Sequence, residues 1–242
     1  MNSDLSLRPK AMVLAAGLGK RMHPLTLTQP KPLLRVAGKA LIDYQLDKLA
    51  DAGVTDVVIN HHWLGEQLTA HIGDGAKFGL AVRYSEELEL LETAGGILEA
   101  LPLLGEQPFI VVNSDVYTDF DYQRLALPEG RLAHLVFVEN PAHNRGGDFS
   151  LSSDGDVVLA ESGQSENGGL TFAGVSIMHP ALFKGYAPGK LALRPVLESA
   201  ISKGQVSGQL HTGKWVDVGT PERLAQLDKE LQAEIQHTIQ RT

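Results

Sequence analysis

Near the start of the chain, two glycines and three cations have the types and spacing to hold phosphate. Gly17 and Gly19 follow an apolar run at residues 11–16, and Lys20 and Arg21 come directly after them. A glycine loop lets backbone N–H groups approach a phosphate with no Cβ in the way, and adjacent cations add positive charge there. The spacing fits two common alternatives badly. A Walker A loop needs Ser or Thr after the lysine, and a dinucleotide fingerprint needs a glycine where Met22 stands. Taken alone, the segment is equally a tight strand-to-helix turn without a ligand. Lys31 lies between Pro30 and Pro32 in a stretch that also holds Pro24. That stretch reads as a stiff loop and not a helix. Lys31 is then either a solvated loop lysine or one more cation reaching the same phosphates.

Two acids stand at other predicted strand ends. Asp115 follows the apolar run at 109–112, with Asn113 and Ser114 between, and Asp217 lies in Trp215-Val216-Asp217-Val218-Gly219-Thr220. By themselves both read as turn or cap residues. The adjacent pair His61-His62 suggests metal at first sight. Neighbouring side chains in a strand point to opposite faces, so these histidines read as pocket wall or packing.

The elements that must position these groups alternate. Apolar runs at 11–16, 56–60, 80–84 and 109–113 read as strands, and helical spacing at 41–49, 66–72 and 95–101 reads as helices. Gly53 ends the first helix, and Pro102 is expected to stop the third. This order predicts a doubly wound, mostly parallel α/β sheet, Rossmann-like, with ligands at the carboxyl ends of the strands. Gly17, Asn60 and Asn113 should therefore line one crevice. Beyond about residue 130 the pattern loosens. Strands are expected at 133–139, 149–151, 157–159, 171–178, 206–210 and 215–218, with a helix at 195–202. Pro221 opens a final helix at a favourable first-turn position, and Leu224, Leu227 and Leu231 share one face. That face packs on its own domain or on a partner, so the oligomeric state stays open. With no linker or repeat, residues 10–242 are expected to form one domain, with a nucleotide half to about 130 and a smaller sugar-binding β region after it.

Bulk properties exclude several classes. A chain of 242 residues with 43% hydrophobic and 21% charged residues can bury a sizeable core. A net charge of -8 argues against nonspecific nucleic-acid binding. The absence of cysteine rules out a disulfide scaffold or a cysteine zinc site. No apolar run approaches the roughly 20 residues of a membrane span. Residues 1–9 are polar, lack the apolar centre of a secretory signal, and read as a flexible lead-in. A cytoplasmic protein with no membrane partner is the expectation.

The segment Leu14-Ala15-Ala16-Gly17-Leu18-Gly19-Lys20-Arg21-Met22, followed by Pro30-Lys31-Pro32, resembles the signature of the nucleoside-diphosphate-sugar pyrophosphorylases, or sugar nucleotidyltransferases. The resemblance implies an enzyme that joins a sugar 1-phosphate to a nucleoside triphosphate. It implies that the glycine loop, with Leu14, Ala15, Ala16 and Lys20, holds the triphosphate. Arg21 would bind the departing pyrophosphate and Lys31 the α-phosphate. It also implies that Asp115 and Asp217 hold Mg²⁺, with Ser114 replacing the family's usual glycine before the first aspartate.

Leu91-Glu92-Thr93-Ala94-Gly95-Gly96 resembles the family segment against base and ribose, where many members carry glycine at the position of Glu92. With Asn60, Asn113 and Gly146-Gly147-Asp148-Phe149, it is similar to the N-acetylmuramate 1-phosphate uridylyltransferases of bacterial cell-wall recycling, which lack the extra C-terminal domains of larger relatives. UTP and N-acetylmuramate 1-phosphate are then the expected substrates. Asn60, Glu92, Thr93, Gly95 and Asn113 are expected on the nucleotide, and Gly147, Asp148 and Glu161 on the sugar. Mannose or heptose 1-phosphate guanylyl transfer and glucose 1-phosphate thymidylyl or uridylyl transfer are alternatives within the class. A noncatalytic sugar-nucleotide sensor is the alternative outside it.

Overall fold

The computed structural model describes residues 9–159 and 169–240. Seven strands form the main sheet. They are numbered here in chain order: β1 (Lys10–Leu14), β2 (Asp56–His61), β3 (Ala81–Glu86), β4 (Phe109–Asn113), β5 (Ala133–Val138), β6 (Thr171–Met178) and β7 (Val206–Leu210). Their order across the sheet is β7-β5-β6-β4-β1-β2-β3. β6 runs antiparallel to both its neighbours, and the other pairings are parallel. β1 is central, and its three middle residues are fully buried. A short strand covered on both faces needs such a continuous apolar run.

The chain leaves β1 for β2 and β3 on one side, then returns to place β4 on the other. This reversal creates a crevice at the carboxyl end of β1, the usual ligand position in such sheets. Leu14 is in register with Asn60 on one neighbour and with Asn113 on the other. The expected meeting of the first, second and fourth strand ends is therefore observed.

Four of the five α-helices among the described residues cover the sheet. α1 (Leu41–Asp51) and α2 (Gly65–Ile72) bury Ile42, Leu46, Leu49, Leu68 and Ile72 against one face. α3 (Glu92–Leu104) and α4 (Leu193–Ile201) bury Ile97, Ala100, Leu104, Val196 and Leu197 against the other. The expected stop at Pro102 is not observed. α3 starts at Glu92 and runs through the proline to Gly105, whose φ of 89° ends it. Proline removes one backbone donor, but buried Ala100 and Leu104 keep the last turn on the sheet. α4 begins two residues before Pro195.

α5 (Pro221–Ile239) answers the question of the leucine face. Leu227 and Leu231 are buried, with Leu224 packed beside them, against Met22, Leu34, Val36 and Leu41 of the same chain. Full burial of a side chain of this size is worth about 1.5–3 kcal/mol, so this cluster fixes the floor of the glycine loop. Three strands of the second half extend the main sheet, and the ribbon Ser150–Leu151 with Val157–Val158 is a separate pair bridged to β7 through Asp156 and Ser207. Residues 1–8 and Glu161 lie outside the described residues.

Candidate active site

The glycine loop leaves β1 and enters a short 3-10 turn, Lys20–Met22. Gly19 has φ 61°, and a Cβ there would lie 2.9 Å from Thr26 Cγ2 and 3.3 Å from Lys31 Cβ. Only glycine lets the loop turn past both. The Thr26 hydroxyl donates to the Gly19 carbonyl at 2.8 Å, and buried Met22 pins the far end. Gly17 has open space where a Cβ would stand. A cavity of about 580 Å³ opens there, lined by Leu14, Ala15, Ala16, Gly17, Gly19, Lys20, Arg21 and Lys31 of this region. Asn60, Glu92, Thr93, Asn113 and Asp115 complete its wall. Arg21 is exposed and makes no hydrogen bond or ion pair among the described residues, so its guanidinium is free for a ligand. Lys31 begins another short 3-10 turn, Lys31–Leu33, within the proline-rich loop.

Asn60 ties the floor together. Its Oδ1 accepts from the Ala15 N–H at 2.9 Å, and its Nδ2 donates to Glu87 Oε1 at 2.6 Å. Glu87 Oε2 accepts from the Leu91 N–H at 3.1 Å. Glu87 is only 3% exposed, and sequence reasoning missed it. Nothing in Glu86-Glu87-Leu88-Glu89 separates the buried acid from its neighbours. Gly96 makes room for this brace, because a Cβ there would be 2.4 Å from Glu87 Oε1.

Gly95, expected on the nucleotide, packs against another stretch of backbone. Its N–H donates to the Leu191 carbonyl at 3.0 Å, and its Cβ position lies 2.3 Å from the Gly189 carbonyl oxygen. It is a close crossing of α3 and the 189–191 loop, absent from the cavity wall. Position 92, where the family resemblance expects glycine, has φ 60°. Glu92 occupies this left-handed backbone at a cost, and its carboxylate lies 3.4 Å from Lys190 Nζ.

The two expected metal ligands meet. The strand Val116–Thr118 pairs antiparallel with Trp215–Asp217, placing Asp217 opposite Val116. The Val218 N–H donates to the Asp115 carbonyl at 3.0 Å. The Trp215 indole donates to the Ala173 carbonyl at 2.9 Å and fixes the second strand to the sheet. Asp115 and Asp217 line one cavity of about 330 Å³ together with Arg21, Asn113 and His143. Asp115 pairs with Lys31 through Oδ2. Asp217 Oδ2 accepts from Arg223 at 3.0 Å, with His143 3.5 Å away. A Cβ at Gly219 would sit 2.2 Å from Arg223 Nη2 and would push the arginine end away from Asp217. His143 and Arg223 escaped the sequence reading because their contacts with Asp217 are set by the fold.

This donor set suits a hard cation. Each carboxylate keeps one oxygen outside these pairs and remains partly exposed to the shared cavity. Among the described residues, no group of three or more His, Cys, Asp or Glu forms a closed metal site. Mg²⁺ commonly takes one or two protein carboxylates and completes its shell with water and substrate phosphates. Two adjacent aspartates beside a phosphate-sized loop fit that habit.

A further cavity of about 460 Å³ adjoins these two. Leu14, Glu92, Thr93 and Asn113 line it together with the glycine-loop cavity, and Asn113 lines all three. Asp148 is on its wall, with Oδ2 accepting from the Phe172 N–H at 2.8 Å. Gly147, expected on the sugar, does not line this wall. Its φ is 66°, and a Cβ would lie 2.4 Å from the Gly169 carbonyl carbon, so it serves a backbone crossing.

Comparison with known proteins gives the same picture. The Nucleotidyl transferase family model matches residues 10–128. The chain is 53% identical over 231 residues to the N-acetylmuramate alpha-1-phosphate uridylyltransferase of Neisseria meningitidis, covering 93% of this chain and 97% of that one. It is 38% identical over 232 residues to the protein of that name from Caulobacter vibrioides, covering 90% and 95%. A solved Bacillus anthracis structure assigned as a glucose-1-phosphate thymidylyltransferase superposes with TM-score 0.80 at 18% identity, covering 92% and 94%. At that identity the likeness establishes the fold alone.

Proposed function

The chain belongs to the nucleotidyl transferase family, and from this premise we propose that it condenses UTP with N-acetylmuramate 1-phosphate, giving UDP-N-acetylmuramate and pyrophosphate in bacterial peptidoglycan recycling. One observation carries the chemical part of this reading. The glycine loop, Arg21, Lys31, Asp115 and Asp217 converge on two cavities that share Asn113. The choice of UTP and of this sugar is supported by the names of the two relatives. A cytoplasmic setting goes with the use of UTP.

An oxygen of the sugar 1-phosphate attacks the α-phosphorus of UTP. The bond from that phosphorus to the bridging oxygen breaks, and pyrophosphate leaves with the electron pair. The attacking oxygen is already ionised at neutral pH, so no side chain must act as general base. Catalysis is positioning and charge stabilisation. The backbone after β1 receives the triphosphate. Arg21, free of partners among the described residues, stabilises charge on the departing pyrophosphate. Lys31 must exchange Asp115 for the α-phosphate, which places its charge where the transition state gathers negative charge. Asp115 and Asp217 are the residues that would hold Mg²⁺, which when bound neutralises phosphate charge and polarises the α-phosphorus. Asn60 and Glu87 keep the loop rigid, and Asp148 offers its remaining oxygen to sugar hydroxyls. The same arrangement speaks against a noncatalytic sensor, which has no use for paired carboxylates beside two cations.

A panel crossing UTP, GTP, dTTP and CTP with several sugar 1-phosphates tests the reading. Pyrophosphate release fastest with UTP and N-acetylmuramate 1-phosphate is expected. Turnover of other sugar phosphates with none of this one would overturn the specificity.

A further inference from the structure

The cavity that adjoins the carboxylate pair poses a charge problem. Its acids are Glu92 and Asp148, and Arg194 is the one basic residue on its wall among the described residues. N-acetylmuramate differs from glucose, mannose and N-acetylglucosamine by a lactyl ether that ends in a carboxylate. An anionic arm entering beside two acids is repelled unless a cation receives it.

We propose that Arg194 is that receptor: its guanidinium binds the lactyl carboxylate and selects an acidic sugar 1-phosphate over neutral ones. The inference rests on the uridylyl-transfer reading above and names the residue that sets its sugar specificity.

The arginine is held in place for this. It is the second residue of α4, and its Nε donates to Glu198 Oε1 at 2.8 Å. Its Nη2 donates to the Asp148 carbonyl at 3.3 Å, and the guanidinium lies 5.1 Å from the Phe149 ring centre. These contacts fix its plane while using two of the five N–H donors of a guanidinium. Among the described residues the remaining donors are free for a carboxylate, which arginine can grip with two parallel bonds. Among the described residues the Asp148 side chain makes no pair with Arg194; its Oδ2 accepts from the Phe172 N–H. The Arg194 side chain is 58% exposed, so it stands at the mouth of the cavity. Asn113, on the wall of the same cavity, also lines the cavity of Asp115. A sugar with its phosphate at Asp115 and its ring in the adjoining cavity shares that cavity with Arg194. The plainer role, a surface pair with Glu198, is worth about 0.3–0.5 kcal/mol and confers no substrate preference.

The test measures kcat and KM of the full-length enzyme with UTP and Mg²⁺. Substrates are N-acetylmuramate 1-phosphate and its neutral counterpart, N-acetylglucosamine 1-phosphate. Arg194→Gln is expected to raise KM for the acidic sugar phosphate about 10- to 100-fold, as loss of a charge-assisted bond predicts. KM for UTP, and kinetics with the neutral sugar phosphate, should not change. Arg194→Lys should restore part of the preference. Equal losses against both sugars, or an unchanged preference, would overturn the proposal while wild-type turnover of N-acetylmuramate 1-phosphate leaves the underlying reading intact. If the wild type turns over only the neutral sugar phosphate, the reading itself fails and the proposal with it.

Discussion

Replacing Asn60 by aspartate changes one NH₂ group into oxygen at the point where the glycine loop is tied down. The amide bridges the Ala15 N–H and the Glu87 carboxylate, with 2.9 Å and 2.6 Å contacts, and it is buried. A protonated aspartic acid can make the same two bonds, accepting from Ala15 and donating its O–H to Glu87. An ionised one sets two carboxylate oxygens against each other in a dry site, and such a pair resists losing its last proton. Taking the introduced carboxyl to be raised by about 3 units, it titrates near pH ~7, against ~3.9 in the unfolded chain.

The sign then follows. Between those two values the folded state holds a proton that the unfolded state has lost, so stability falls as pH rises. At about 1.4 kcal/mol per unit, the deficit against wild type is about 1.5 kcal/mol at pH ~5 and about 4 kcal/mol at pH ~8. Urea unfolding of wild type and Asn60→Asp across that range measures it. Asn60→Ala is the control, because its deficit of about 1–3 kcal/mol from unpaired buried groups should not depend on pH. Parallel curves for wild type and Asn60→Asp would refute the proposed brace.

Other consequences can be checked in the same way. Gly95→Ala would bring a Cβ within 2.3 Å of a backbone carbonyl, whereas Gly17→Ala meets nothing within 4 Å. The first should cost about 1–3 kcal/mol in urea unfolding. The second should leave stability within about 0.5 kcal/mol yet raise KM for UTP; the opposite ranking would contradict the assignment of Gly17 to the triphosphate. Lys31 competes with a divalent cation for Asp115, so Lys31→Ala should bind Mn²⁺ more tightly than wild type without nucleotide while losing turnover. Unchanged Mn²⁺ affinity would show that the pair does not guard the site. Burial pushes the His134 imidazole below its usual pKa, so the unfolded chain takes up protons first as pH falls. The stability held above pH ~6.5 is lost progressively below it, and His134→Gln should flatten that slope in thermal melts.

Much of this site was legible because its determinants are local. A buried run that ends in glycines announces β1 and its loop, and alternating runs announce the parallel sheet and hence the meeting of Gly17, Asn60 and Asn113. The acids Asp115 and Asp217 were readable as candidate ligands only through a family resemblance, since the ribbon that joins them pairs segments distant in the chain. Gly95 and Gly147 both pack against other backbone, which their sequence does not announce. A glycine that admits a ligand and one that admits another backbone look alike in sequence, and only the neighbouring chains at 189 and 169 tell them apart. Glu87, Arg194 and Arg223 were invisible for the converse reason: each sits in an ordinary polar stretch, and tertiary packing alone buries it or aims it. Pro102 failed as a stop because tertiary burial of Leu104 outweighs a missing hydrogen bond.

The central claim is transfer of a uridylyl group between two phosphates at the Asp115–Asp217 pair. Label placement tests it most directly. UTP carrying radiolabel in its α-phosphorus, incubated with Mg²⁺ and N-acetylmuramate 1-phosphate, should pass that label into UDP-N-acetylmuramate, and γ-labelled UTP should yield labelled pyrophosphate only. Asp115→Asn should abolish both transfers in a protein that still melts cooperatively. Release of labelled inorganic phosphate, or undiminished transfer by Asp115→Asn, would contradict it.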